Sequence, residues 1–189
     1  TGLAGSAICR FLIKSGYKKI LKPNRKELNL LNFEEVKKWF DFKRPDVVII
    51  AAAKVGGIHA NNTQRTNFIL ENLKINMNIL ESLKAFPDTK VINLGSSCIY
   101  PLNVENPIKE SSIMDGRLES TNSPYAMAKL SAIEIGRSMS KQFGHKILNL
   151  MPTNLYGPND YFSDLDSHVI PALIHRMQKT IDNDEDKFT

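Results

Sequence analysis

The chain has 189 residues, enough to bury one core and too few for two ordinary domains. Hydrophobic residues make up 42% and charged residues 24%, which excludes a disordered or collagen-like polypeptide. The formal charge of +5 comes from dispersed lysines and arginines, without a basic run or interleaved aromatics, so no nucleic-acid partner is expected.

No apolar run is long enough to span a bilayer, and no charged-then-apolar leader opens the sequence, so no membrane association is expected. Cys9 and Cys98 make no disulfide framework and fit a reducing, cytoplasmic setting. The sequon at Asn61-Asn62-Thr63 carries little weight there. No metal site is expected.

The elements alternate in the manner of a parallel α/β sheet. A helix is predicted over residues 4–14, with Ile8, Phe11 and Leu12 on one face and Gly16 as its stop. A short strand is predicted at 19–22. Asn32, with Glu35 three residues on, reads as a capping box for a helix over 33–42. Residues 46–53 contain Val47, Val48, Ile49 and Ile50 without alternation, as a strand covered on both faces does. A long helix is predicted over 66–86, a strand over 90–94, a helix over 124–143 and a strand over 146–151. The last helix starts near Pro171, where proline is tolerated in the first turn. A doubly wound sheet requires a strand before the first helix; the chain is therefore expected to begin just inside a phosphate-binding turn and to be a fragment.

Gly2, Leu3 and Gly5 read as the second half of a G-x-x-G-x-x-G turn, whose glycines let the backbone approach a pyrophosphate at the helix N-terminus; a simple tight turn is the alternative. Arg25 follows the second predicted element, where an arginine suits the 2′-phosphate of NADP, and a solvated arginine in a basic loop is the alternative. Tyr125 and Lys129 lie one helical turn apart on one face. A free phenol has a pKa of about 10, and a neighbouring cation is expected to lower it enough for acid/base work. Alone, such a pair is most simply an exposed helical couple. Ser96, however, ends a buried strand, where ligands of open α/β sheets bind and where a hydroxyl can share a carbonyl oxygen with Tyr125.

These residues resemble the extended short-chain dehydrogenase/reductase family. Five stretches, residues 51–58 (AAAKVGGI), 94–101 (LGSSCIYP), 124–129 (PYAMAK), 151–158 (MPTNLYGP) and 167–173 (SHVIPAL), narrow the resemblance to the GDP-L-fucose synthase family within it. The resemblance runs from residue 1 to about residue 180. It implies a Rossmann-like doubly wound sheet, NADP(H) as cofactor, GDP-4-keto-6-deoxy-D-mannose as substrate and a homodimer at full length. It divides the chain into a cofactor-binding unit, 1–160, and the start of a substrate-binding region, 161–189. Ser96, Tyr125 and Lys129 take the positions of the reduction step. Cys98 and His168 match the epimerisation pair, base and acid respectively. Leu94 and Gly95, together with Ser96 and Lys129, Pro152, Thr153, Asn154, Leu155 and His168, match cofactor contacts, and Arg176 matches a contact to the nucleotide diphosphate. Read without the resemblance, Cys98 is a small buried hydrophobe and His168 a hydrogen-bonder at a helix entry.

Thr1 departs from the family, which often has a basic residue there. The first strand and everything past residue 189 are missing, so the isolated polypeptide is expected to be poorly stable or inactive. A 4-epimerase and a 4,6-dehydratase share the scaffold. Dehydratases generally carry acidic residues beside the central hydroxyl, where this chain has Ser97 and Cys98, and a 4-epimerase has no use for the Cys98–His168 pair. A non-catalytic NADP sensor commonly loses the tyrosine or lysine, and both are present.

Overall fold

The computed structural model describes residues 2–163 and 166–183. Six α-helices and three strands follow in the order α1 (Leu3–Lys14), α2 (Phe33–Lys43), β1 (Val47–Ile50), α3 (Ile58–Thr63), α4 (Arg65–Leu83), β2 (Lys90–Leu94), α5 (Ser123–Phe143), β3 (Ile147–Leu150) and α6 (Val169–Asp182). Two short 3-10 turns, Ser97–Ile99 and Glu110–Ser112, lie between β2 and α5.

The strands form a parallel sheet in the order β1-β2-β3, with Val47 opposite Lys90 and Val91 opposite Ile147. Parallel pairing requires crossover connections, and helices supply them. The β-branched run at Val47, Val48, Ile49 and Ile50 builds β1 as expected, but the strand is shorter than the predicted span. At its end the Ala51 N–H donates to the Ile49 carbonyl at 3.1 Å, a tight turn that takes the chain out of the ladder.

The helices begin where their caps dictate. The Asn32 side chain accepts from the Glu35 N–H at 3.3 Å. Glu35 does not complete the reciprocal bond of the capping box; its carboxylate takes the Asn32 side-chain amide at 2.9 Å and the Asn29 N–H at 3.3 Å instead. Gly144, in the left-handed region at φ 74°, ends α5. Pro171 lies in the first turn of α6, as its missing N–H requires.

The core lies where α2, α4 and α5 pack against the sheet. Val36 and Phe40 of α2, Ile79, Leu80 and Leu83 of α4, Ile50, Val91 and Met139 are all buried in it. Residues 19–22, expected as a strand, do not join the sheet. A strand exists only through a hydrogen-bonding neighbour, and among the described residues β1 pairs with β2 alone. The α/β, Rossmann-like class of the fold agrees with the expectation, with three strands among the described residues where four were predicted.

Candidate active site

The strand β2 delivers Ser96 to the C-terminal edge of the sheet, and the edge is firmly built. The ladder to β3 continues past both strands, with the Gly95 N–H on the Leu150 carbonyl at 2.7 Å and the Ser97 N–H on the Pro152 carbonyl at 3.1 Å. Ser96 is extended and caps the first 3-10 turn, its Oγ accepting from the Cys98 N–H at 3.2 Å. That turn takes the chain out of the strand direction after Ser96 and lays the Cys98 N–H against the Ser96 hydroxyl.

The helix α5 brings Tyr125 and Lys129 to the same place. Its entry is fixed by Glu119, whose carboxylate accepts from the N–H groups of Thr121 and Asn122 at 3.0 and 2.9 Å. Those bonds, with the Thr121 hydroxyl foremost, hold its pKa below the usual carboxylate range. Arg65, at the start of α4, ties down the same turn by donating to the Ser120 carbonyl at 2.9 Å.

Lys129 is 3% exposed, and its Nζ donates to the Leu94 carbonyl at 2.7 Å while lying 5.8 Å from the centre of the Tyr125 ring. Burial pushes its pKa down to about 8. Tyr125 moves the other way: desolvation, reinforced by the neighbouring Cys98, pushes its phenol up to about 12, and hydrogen bonding with Ser96 opposes this only partly. The expected lowering of the phenol by Lys129 is therefore not found. The ammonium is turned to the Leu94 carbonyl, and desolvation of the phenolate dominates.

The Lys129 shift has a measurable consequence. Between pH 8 and pH 10 the unfolded lysine keeps its proton while the folded one gives it up, so the unfolded state binds more protons and stability rises with pH. The expected rise is on the order of 2–3 kcal/mol. Denaturant titrations of the full-length protein and of Lys129→Met across this window check it: the rise is expected in the former and absent in the latter. Parallel profiles would overturn the assignment.

The remaining expected residues form two further groups. Gly2 caps α1 in an extended conformation and is exposed. A Cβ on Gly2 would meet nothing within 4 Å, and one on Gly5 only Ala51 at 3.9 Å, so this end of α1 is open. Leu3 is half-buried, with its Cδ1 3.5 Å from where a Cβ on Gly157 would stand. Arg25 is exposed on a turn pinned by Asn24, whose side chain accepts from the Lys26 N–H at 2.8 Å. Pro152 is half-buried, and Thr153, Asn154 and Leu155 are exposed on the loop after β3. His168 is exposed at the start of α6 and makes no side-chain capping bond. Arg176, on α6, has a buried Nε without a hydrogen-bond partner. Ser96, Cys98, Tyr125 and Lys129 thus come together; for His168 and Arg176 the structure gives no contact with that quartet.

Sequence reasoning did not single out the residues that shape the loop after β1. Asn72, fully buried on α4, clamps Lys54 from both sides, accepting from its N–H at 2.9 Å and donating to its carbonyl at 3.0 Å. Asn61, on α3, donates to the Gly56 and Gly57 carbonyls at 2.8 and 3.0 Å. A side chain committed in this way is no glycosylation acceptor. The available signal was a Gly-Gly pair following a strand, and an asparagine at a buried position of a predicted helix stripe.

The chain matches the NAD dependent epimerase/dehydratase family over residues 1–186. It is 46% identical over 178 residues to the GDP-L-fucose synthase of Escherichia coli, covering 94% of this chain and 56% of that protein. It is 35% identical over 184 residues to the GDP-L-colitose synthase of Yersinia pseudotuberculosis, covering 96% and 59%. The crystal structure of a GDP-L-fucose synthetase from Naegleria fowleri bound to NADP superposes with a TM-score of 0.86 at 31% identity, over 97% of this chain and 57% of that one. The chain spans little more than half the length of these relatives. With the sheet, the serine at its C-terminal edge and the tyrosine–lysine turn in place, a match running along almost the whole sequence settles its kinship: the chain belongs to the NAD dependent epimerase/dehydratase family.

Proposed function

We propose that this chain is the nucleotide-binding part of an enzyme that converts GDP-4-keto-6-deoxy-D-mannose to GDP-L-fucose, epimerising C3 and C5 and reducing C4 with NADPH. The observation that carries the reading is the convergence of Ser96, Cys98, Tyr125 and Lys129 at the end of β2. The likeness to curated GDP-L-fucose synthases supports the substrate.

The residues present fit NADP(H). The N-terminus of α1 is an open cradle without an acidic residue in its first turn, suited to a pyrophosphate against Gly2, Leu3 and Gly5. Arg25 is exposed and free to meet a 2′-phosphate. Pro152, Thr153, Asn154 and Leu155 would flank the nicotinamide, with Leu94, Gly95 and His168 nearby, and Lys129 would hold the ribose. When bound, the cofactor supplies the hydride that adds to C4.

The chain's own groups supply the protons. The C4 ketone acidifies the hydrogens at C3 and C5, so epimerisation needs a base to remove one and an acid to return one from the other face. Cys98 serves as the base and His168 as the acid, a thiol and an imidazole being side chains suited to proton exchange. For reduction, Ser96 and Tyr125 hold the C4 oxygen. The phenol, kept protonated by its burial, passes its proton to that oxygen as the hydride arrives, which balances the step. Arg176, with its unpartnered Nε, pairs with the diphosphate.

On the same reading, residues 1–160 form the cofactor-binding unit and 161–189 begin the substrate-binding region. The full protein is a cytoplasmic homodimer. Exposed Leu70 and Met77 on α4 and Met127 on α5 support pairing through these helices.

The test is the full-length protein with NADPH and GDP-4-keto-6-deoxy-D-mannose, following nicotinamide absorbance and product stereochemistry together. Cys98→Ser is expected to lose epimerisation by on the order of 10²–10⁴-fold and reduction far less. Equal loss of both would count against divided roles. Gly2→Ala is expected to leave folding stability within about 0.5 kcal/mol, since its Cβ meets nothing, while weakening NADPH binding in a fluorescence titration. Unchanged affinity would remove the cradle from the site.

A further inference from the structure

We infer that Asn61 is a positioning residue for His168. The inference rests on the proposed reading, in which His168 returns the proton during epimerisation.

The connection runs through the backbone. Asn61 is 5% exposed, and its Nδ2 donates to the Gly56 carbonyl at 2.8 Å and the Gly57 carbonyl at 3.0 Å. Both facing groups are acceptors, so the amide must present its donor edge to them. Its Oδ1 is left buried without a partner. A buried orphan acceptor is unfavourable, so burial on α3 alone does not explain an asparagine where an apolar residue would pack without that penalty.

What the amide fixes is the Gly-Gly bend, and the bend holds the segment before His168. The Gly57 N–H donates to the Asp166 carbonyl at 2.7 Å. The approach is close enough that a Cβ on Gly57 would stand 2.5 Å from the Ser167 carbonyl oxygen. A second strap joins His59, on the same short helix as Asn61, to Asp166 at 3.2 Å. Ser167 is also bound to Ser163, whose N–H donates to the Ser167 Oγ at 3.3 Å. His168 is exposed and makes no side-chain capping bond, so its place follows from the backbone of Asp166 and Ser167. Asn61 sets that backbone through Gly57. The groups that hold and protonate the C4 oxygen, Ser96 and Tyr125, lie at the end of β2 and on α5 and make none of these contacts.

The prediction is therefore a change in product stereochemistry. In the full-length protein, Asn61→Ala is expected to raise the ratio of C4-reduced sugar that keeps the substrate's C3 and C5 configuration to fully epimerised product by on the order of ten- to a hundredfold, the effect of a catalytic group misplaced by about 1 Å. The ratio is the readout, because loss of folded protein lowers both products alike. On a His168→Gln background the same substitution is expected to change the ratio no further, as two residues acting through one group require. An unchanged ratio in Asn61→Ala, or an equal shift on the His168→Gln background, would overturn the inference.

Asn61→Asp keeps the size of the side chain and carries the test if the alanine variant does not fold. As a carboxylate it faces two carbonyls with no proton to donate; burial raises its pKa, and the protonated acid regains one donor. The ratio should return toward the native value as pH falls from about 8 to about 5.5, and a flat profile would overturn the inference. If native protein epimerises nothing, or if His168→Gln alone leaves the ratio untouched, the functional reading has failed and the inference falls with it. A shift in His168→Gln with none in either Asn61 variant isolates failure of the inference alone.

Discussion

Replacing Tyr125 by phenylalanine in the full-length protein is expected to lower the rate of NADPH-dependent ketone reduction by on the order of 10²–10⁴-fold, the contribution of a positioned proton donor. The loss should fall on kcat, with KM little changed, because the ring that packs the site is retained and only the hydroxyl goes. The reason lies in what burial does to the phenol. At about 12, its pKa leaves Tyr125 neutral across the whole working range, so it stands as an acid throughout. Desolvation is the first cause, and Cys98 adds to it, because a negative thiolate and a phenolate disfavour each other. On the proposed reading, the same juxtaposition favours a protonated tyrosine whenever Cys98 carries a negative charge. Ser96, the remaining hydroxyl, accepts from the Cys98 N–H and still has its own O–H to hold the ketone oxygen. An aliphatic hydroxyl is far less acidic than a phenol, however, and does not replace it as proton donor. Stopped-flow nicotinamide absorbance with the keto sugar measures the effect; reduction at the native rate would remove Tyr125 from the chemistry.

Gly57→Ala is expected to destabilise the full-length protein by about 2–4 kcal/mol, from overpacking and a lost backbone hydrogen bond together. Its backbone, at φ −66°, is one that alanine adopts freely, so the penalty is spatial. The Cβ would lie 2.5 Å from the Ser167 oxygen, 3.2 Å from its carbonyl carbon and 3.3 Å from the Asp166 oxygen. All three are backbone atoms and cannot swing aside as a side-chain tip can. Relief requires the segment to retreat from Gly57, breaking the 2.7 Å bond to Asp166. A chemical denaturation midpoint measures the loss. A midpoint equal to that of native protein would mean that the segment is displaced at negligible cost, and the close approach would have no structural weight.

The long helices were legible because each carries its own punctuation. Asn32 caps α2, Gly144 stops α5, and apolar residues recur along α4 at the helical period. The strand expected at 19–22 was not legible, because strandedness belongs to pairs and no pattern within four residues reveals a partner. The short helix α3 escaped for a related reason: six residues with Gly57 as N-cap lack the length over which a period shows. In the site, the spacing of Tyr125 and Lys129 announced a shared helix face, and the position of Ser96 followed from the strand before it. The direction of the tyrosine's shift did not follow. The one-turn spacing suggested an ammonium acting on a phenol, whereas the folded chain turns that ammonium to Leu94 and desolvates the half-buried ring. Desolvation is a property of the packed surroundings, and no local motif encodes it. Gly57 and Asn61 were hidden likewise, since their meaning lies in a segment more than a hundred positions away.

That separation bears on the order of assembly. The pieces of the reduction centre are drawn from β2 and α5, and they can meet as soon as those two elements fold. The strap between His59 and Asp166 joins residues 107 apart in sequence. Closing so long a loop costs more chain entropy than closing a short one, and partners emerging from the ribosome in sequence meet only after the later one is made. The docking at Gly57 accordingly closes later in synthesis than the pairing of β1 with β2. Among the described residues it is held by one backbone hydrogen bond and a solvent-exposed pair, whereas β2 is laddered to a strand on each side. Amide hydrogen exchange should register the difference as a boundary, with slower amides on β2 and faster ones at Gly57, so that the segment before His168 sits on less firm ground than the strand before Ser96.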